Sequence, residues 1–213
     1  MSKPTIGLAM IMQNEEVHIP ISIAQFYSAV SDIVVVDGGS KDASVMWAER
    51  MGARVFRRPF DNHFSDQKNF AIEQLDTDWV YVHDPDERLE PTLVDVFPFL
   101  VSVEGQRFLA EAGFLPESED PFDCIGIPRK NLTDGVKVLP YPDYQYRLFA
   151  RYCRFEGAVH EKVVNFTNRG ELNCSSTESD QESPIGQFNI LHFKSSARQR
   201  AKEELYKTLV GRE

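Results

Sequence analysis

Cysteine is scarce in this 213-residue chain: Cys124, Cys153 and Cys174 are widely spaced and odd in number. No CxxC pair and no Cys/His cluster accompanies them, so neither a zinc site nor a disulfide framework is indicated and reduced thiols are expected. Long apolar runs are missing too. No uncharged stretch approaches the ~18 residues that a membrane span needs. Met-Ser-Lys-Pro leads straight into an apolar segment without the layout of a signal peptide. The expectation is a cytoplasmic protein whose sequons at Asn131, Asn165 and Asn173 carry no glycan. Basic charge is in deficit, with 23 Lys and Arg against 33 Asp and Glu and a net charge of −10. Such a surface argues against a general nucleic-acid binder, which needs a positive field to offset phosphate charge. It leaves room for a nucleotide ligand, for which a metal ion and two or three local cations suffice. There is no internal repeat, and no GxGxxG fingerprint supports a dinucleotide fold.

What is present is a globular composition, 42% hydrophobic and 26% charged, with 15 Phe to fill a core. Residues 5–12 form a continuous apolar run, as in a strand covered on both faces. Asn14-Glu15-Glu16 then opens a helical stretch to about residue 30. A second strand at 32–36 (DIVVV) ends in Asp37-Gly38-Gly39-Ser40. A helix at 42–51, stopped by Gly52, leads to a third strand at 53–57. Ser65 caps a helix running to Leu75, and a fourth strand, 79–83 (WVYVH), meets Asp84-Pro85-Asp86-Glu87. Strands alternating with short helices imply a parallel sheet with helices on both faces. In such sheets ligands bind beyond the carboxyl ends of the strands. The polar punctuation after strands one, two and four falls there each time, which predicts one composite site. The second half is less regular. A helical segment at 92–109 carries Pro98, and an acidic loop covers 111–123. Strands at 125–129, 136–139 and 144–149 suit a smaller mixed sheet, a polar loop covers 171–184, and an amphipathic helix covers 195–211.

Asp84 and Asp86 are two residues apart after a buried strand, so in extended chain both carboxylates face one way and can share an ion. Mg²⁺ and Mn²⁺ suit carboxylate and phosphate oxygens. Asp-Pro-Asp is also ordinary turn chemistry; its place after the fourth strand favours the metal. Asp37 can accept from a base N–H or a ribose hydroxyl, and Gly38 and Gly39 let a ligand approach the backbone. Arg57, Arg58, Lys68, Arg129, Lys130 and Arg147 are the cations available to neutralise a diphosphate.

Seven segments in order, LAMIMQNEE (8–16), VVVDGGSKDAS (34–44), QKNFAIE (67–73), WVYVHDPDE (79–87), PDYQYRLFAR (142–151), GAVHEKV (157–163) and ILHF (190–193), resemble the inverting family-2 glycosyltransferases of GT-A fold. The similarity spans residues 5–194 and is greatest to the short bacterial group that includes lipopolysaccharide core glucosyltransferases. Pro85 and His83 replace the small and aliphatic residues usual at those positions. The resemblance implies one GT-A (Rossmann-like) α/β domain over 1–213. Residues 1–90 would bind the nucleotide sugar, 91–194 would form the acceptor side, and 195–213 would be a terminal helix. It implies that Asp37 contacts the nucleotide base, that Asn14 and Glu16 line the nucleoside pocket, and that Lys68 and Arg147 lie near the nucleotide sugar. Asp84 would face the ribose side and Asp86 would bind Mn²⁺ or Mg²⁺, with His160 or His192 as a third ligand. Inverting transfer needs a base on the acceptor hydroxyl; Asp143 is the first candidate and Glu161 the second. The expected reaction moves a hexosyl group from a UDP-linked donor to a glycan or glycolipid, with at most a peripheral membrane contact. Two alternatives remain open: a phosphohydrolase with an Asp-x-Asp nucleophile motif, although that motif ordinarily follows the first strand, and a non-catalytic carbohydrate-binding module on a transferase frame.

Overall fold

The computed structural model describes residues 3–111, 122–159, 161–165, 174–175 and 189–194. The polar loop apart from Cys174–Ser175, His160 and the expected terminal helix lie outside them. The order of elements is β1 (Ile6–Met12), α1 (Ile19–Ala24), β2 (Asp32–Asp37), α2 (Ser44–Arg50), β3 (Arg54–Arg57), α3 (Phe64–Glu73), β4 (Trp79–His83), β5 (Glu87–Leu89), α4 (Pro91–Leu100), α5 (Val103–Glu111), β6 (Cys124–Thr133), β7 (Val136–Ala150), β8 (Cys153–Glu156), β9 (Lys162–Asn165), β10 (Cys174–Ser175) and β11 (Ile190–Lys194).

Nine strands form one sheet in the order β3-β2-β1-β4-β7-β6-β11-β5, with β10 beside β6; β8 and β9 pair separately. β1, β2, β3 and β4 run parallel, and β7 then joins β4 antiparallel. β1 leads toward β2 on one side while β4 lies on its other side, so the chain reverses direction across the sheet there, the switch point at which open α/β sheets bind ligands. The continuous apolar runs have a simple cause. In β1, Ile6, Leu8, Met10 and Met12 pack on one face with Ile19 and Ile23 of α1 and Phe97 of α4, whereas Ala9 faces the opposite layer with Ala71 and Ile72 of α3. Both faces are covered, so no position can be polar. Each such side chain contributes about 1.5–3 kcal/mol on burial.

Three expectations shift. The first helix is only six residues long, because Asn14 takes a left-handed φ of 58° and the chain turns before His18. The cap of α3 is His63 rather than Ser65: the His63 ring accepts the Asp66 N–H at 3.2 Å, while the Ser65 hydroxyl donates to the Gly157 carbonyl at 2.6 Å. The helical segment around Pro98 is two helices, broken after Leu100 and not at the proline. The later strands are longer than expected. β6 and β7 form one hairpin whose turn, Asp134-Gly135, has positive φ at both residues (50° and 81°), as two-residue hairpin turns require. Among the described residues no helix is long and apolar enough to cross a membrane.

Candidate active site

At the carboxyl edge of β1 and β2 the two loops are stitched together. The Asn14 N–H donates to Ser40 Oγ at 2.9 Å, and Asn14 Oδ1 accepts the Lys41 N–H at 2.9 Å. Glu16 Oε2 accepts the Ala43 N–H at 3.0 Å, ahead of α2. Buried Asp37 accepts the Ser40 N–H at 3.0 Å, a turn that carries the chain through Gly39 at φ 111°. Only glycine adopts that conformation readily. Gly38 is less open than expected, since a Cβ there would lie 3.3 Å from Cβ of Phe60.

Beyond β4 the Asp84-Pro85-Asp86 loop is clamped from below. The Pro85 carbonyl accepts from Ser22 Oγ at 2.6 Å and from Arg88 Nη1 at 2.8 Å. Arg88 also reaches His18, whose pKa is lowered by burial and by the Arg88 charge, with Asp86 opposing. Asp84 accepts from Arg147 at 2.7 Å. Arg147 is buried and also donates to Glu87 at 3.2 Å. Burial disfavours its charge, but Asp84 and Glu87 outweigh that and hold its pKa well above the usual value. The wholly buried Glu87 carboxylate takes a second guanidinium, Arg129, at 3.3 Å. Arg129 in turn donates to Asp143 at 2.7 and 3.0 Å.

A second arm returns to the loop. Asn131 Nδ2 donates to Asp143 Oδ2 at 2.9 Å, and Asn131 Oδ1 faces His192 Nδ1 at 3.0 Å. His192 Nε2 lies 3.5 Å from Asp86 Oδ2. β11 makes this meeting possible, because His192 pairs with Glu87 on one side and Asn131 on the other, and the Phe193 N–H donates to the Asp86 carbonyl at 3.2 Å. The result is a closed circuit: Asp84, Arg147, Glu87, Arg129, Asp143, Asn131, His192, Asp86. β7 runs antiparallel to β4 with Tyr81 opposite Leu148, so the residues before Leu148 overhang the carboxyl end of β4 and carry Asp143 above the loop.

Burial pushes the Asp143 carboxyl up, but Arg129 and the donors Asn131 and Gln145 prevail, so its pKa is lowered. It is ionised at neutral pH and accepts four hydrogen bonds. Glu161 is placed elsewhere, 3.1 Å from the buried Lys68 ammonium, which also sits 5.0 Å from the Phe155 ring centre. Lys68 and Glu161 therefore form their own pair between α3 and the segment after β8. Sequence reading left two members of the circuit without a role. Glu87 reads as one more acidic turn residue, although its place directly after the Asp-Pro-Asp triplet was a signal. Asn131 stood out only as a sequon.

The donor set fits a hard cation. A carboxylate oxygen can only accept, so the Asn131 amide must present its NH₂ to Asp143 and its oxygen to His192. The His192 Nδ1 then carries the hydrogen, and in the neutral ring Nε2 is a bare lone pair facing the Asp86 oxygen. A divalent ion held by both would complete that pair, whereas a proton on Nε2 makes the same contact an ion pair. Among the described residues no three His, Cys, Asp or Glu side chains converge on one point, so further ligands must come from a bound molecule or water.

The model of glycosyl transferase family 2 matches residues 8–97, from β1 to α4, and takes in Asp37, Asp84 and Asp86. An uncharacterized glycosyltransferase of Rickettsia felis is 33% identical over 187 residues, covering 83% of this chain and 64% of that protein. Residues 8–97 thus carry a glycosyltransferase family 2 domain. The sheet, with parallel β3-β2-β1-β4 continued by mixed strands, is the GT-A arrangement of that family. The lipopolysaccharide core biosynthesis glycosyltransferase LpsC of Rhizobium meliloti, 28% identical, aligns over 97% of this chain and 70% of its own length. Among solved structures, glucosyl-3-phosphoglycerate synthase of Mycobacterium tuberculosis, in complex with Mn²⁺, UDP-glucose and phosphoglyceric acid, aligns with a TM-score of 0.43 at 22% identity, covering 62% of this chain and 45% of that one. The chain spans 51–64% of the length of the first three Rickettsia relatives.

Proposed function

We propose that this protein transfers a hexosyl group, with inversion, from a UDP-linked sugar to a glycan or glycolipid, assisted by Mn²⁺ or Mg²⁺. The observation that carries the reading is the meeting of two metal-ligating side chains, Asp86 Oδ2 and His192 Nε2, 3.5 Å apart at the carboxyl edge of the sheet. These two residues would hold the ion, with donor diphosphate oxygens and water as its other ligands, the usual pattern for such cations. Bound there, the ion would supply neutralisation of the charge that develops on the departing diphosphate. Asp84, fixed by Arg147, would face the ribose side. Asp37 would accept from the base, next to the loop that Asn14 and Glu16 tie together. Lys68 would lie to the diphosphate side, paired with Glu161.

For the base on the acceptor hydroxyl, Asp143 is the stronger assignment. It is ionised, half-buried and coupled to the metal loop through both arms of the circuit, whereas Glu161 answers to Lys68. A lowered pKa keeps Asp143 deprotonated at neutral pH at the expense of basicity, so its place in the site, not its pKa, carries the assignment. The lipopolysaccharide core protein LpsC among the relatives supports a glycolipid or saccharide acceptor. The test is turnover of UDP-sugars with and without Mn²⁺, alongside calorimetry of UDP. Mn²⁺-dependent UDP binding and sugar release are expected, and both should vanish in a folded Asp86→Asn protein. Metal-independent activity, or full activity of Asp86→Asn, would overturn the reading.

A further inference from the structure

We propose that Asn131 is a positioning residue that commits His192 to the metal and ties that commitment to Asp143. The inference rests on the function proposed above. Its ground is the double use of one side-chain amide: Oδ1 lies 3.0 Å from His192 Nδ1, and Nδ2 lies 2.9 Å from Asp143 Oδ2. An amide cannot turn over without setting its oxygen against the carboxylate and its NH₂ against a ring N–H, so its two ends are locked in opposite senses. In the neutral ring the lock places the hydrogen on Nδ1 and turns the Nε2 lone pair toward Asp86. Metal-binding imidazoles depend on such a partner on the other ring nitrogen, and losing it costs roughly 10–100-fold in affinity or activity. Arg129 shares Asp143 Oδ2 with Asn131 and Gln145 holds Oδ1, so of the three residues that orient the carboxylate Asn131 is the one that also touches the imidazole. Asn131 sits where the β6–β7 register shifts, between Arg129 and Asn131; the irregularity lets its side chain serve both β11 and β7.

Two variants separate this role from a merely structural one. Asn131→Leu removes both contacts. It should weaken Mn²⁺ binding in the UDP complex, read by electron paramagnetic resonance, about tenfold or more, and lower kcat as well. Asn131→Asp keeps an acceptor for His192 but sets a like charge against Asp143. Mn²⁺ affinity should stay within about threefold of the wild type while kcat falls at least about tenfold, a split that partial unfolding does not produce. A third measurement needs no variant: ¹⁵N–¹H spectra of the metal-free protein at pH 8 should show His192 as the Nδ1–H tautomer. The Nε2–H tautomer, wild-type Mn²⁺ affinity in Asn131→Leu, or equal losses in both variants would each overturn the inference. If the wild type itself shows no Mn²⁺-dependent UDP binding, the proposed function has failed, whatever these variants do; the tautomer still reports on Asn131 alone.

Discussion

Single side chains decide how the site divides its labour. Asp143 is gripped by a guanidinium and two amides, whereas Glu161 holds one ammonium. Replacing Asp143 by Asn should cut transfer by ~10²-fold, the scale of a lost general base, with UDP affinity unchanged by calorimetry. Glu161→Gln should leave more than about half of kcat and instead disturb the donor side through Lys68. The reverse pattern would move the base to Glu161. Asp37→Ala should weaken UDP binding by about 1–3 kcal/mol, because a base or ribose donor would lose its partner in a buried place. Unchanged UDP affinity in that variant removes Asp37 from the pocket.

Among elements, α3 shows how local chemistry fixes a larger surface. Asn69 donates to the Phe155 carbonyl and accepts the Phe155 N–H, both at 2.9 Å, and the Phe64 N–H donates to the Ala158 carbonyl at 3.0 Å. The helix is thereby fastened to the segment carrying Glu161. Asn69→Ala should lower stability by about 2 kcal/mol, since two main-chain groups lose partners; a denaturant midpoint equal to that of the wild type contradicts this. Elements of this kind differ in how plainly the sequence announces them. β1, β2 and β4 were legible because burial on both faces leaves uninterrupted runs of apolar residues, and the polar residues that close them, Asp37 and Asp84, stood out by contrast. The shortening of α1 was not, because Asn14 suits both a left-handed turn and a helix cap, and the two glutamates after it suit a first helical turn. The position of β11 was hidden for a different reason. Its neighbours, β5 and β6, are remote in sequence, and no local pattern records which strands will flank it. The circuit through Glu87 and Asn131 depends on that placement.

On the scale of the whole molecule, a buried carboxylate with its two guanidiniums and one buried neutral ring bear on stability. Glu87 balances two guanidiniums, so Glu87→Gln should destabilise the fold by about 3–5 kcal/mol, the cost of leaving a buried charge without its partner. A variant as stable as the wild type in urea would show that Arg129 and Arg147 need no counter-charge. His83 is wholly buried against Phe26, with ring centres 4.9 Å apart, and neither ring nitrogen has a hydrogen-bond partner. Glu87 lies 3.9 Å away, yet the ring is neutral. Burial first, with Arg147 and Arg88 adding to it against Asp84 and Asp86, takes its pKa down to about 3. The folded value lies below the unfolded one near 6.5, so between these two the unfolded chain binds the extra proton. The His83 contribution is complete above about pH 6.5 and drains away by roughly 1.4 kcal/mol per unit as pH falls toward 3. His83→Phe should flatten the stability profile over that window, and an unaltered slope in urea titrations from pH 4 to 7 would refute the assignment.

β11 also sets a clock. It lies between β5 and β6, so during synthesis the ribosome has already delivered Asp37, Asp84, Asp86, Asn131 and Asp143 while the gap in the sheet is still open. His192 can meet Asp86 only once residues 190–194 have emerged and taken their place between β5 and β6. A polypeptide released before that point carries nearly every polar group of the site and none of its closure. The imidazole is the keystone of these contacts, and under the proposed function competence for the ion would arrive with β11.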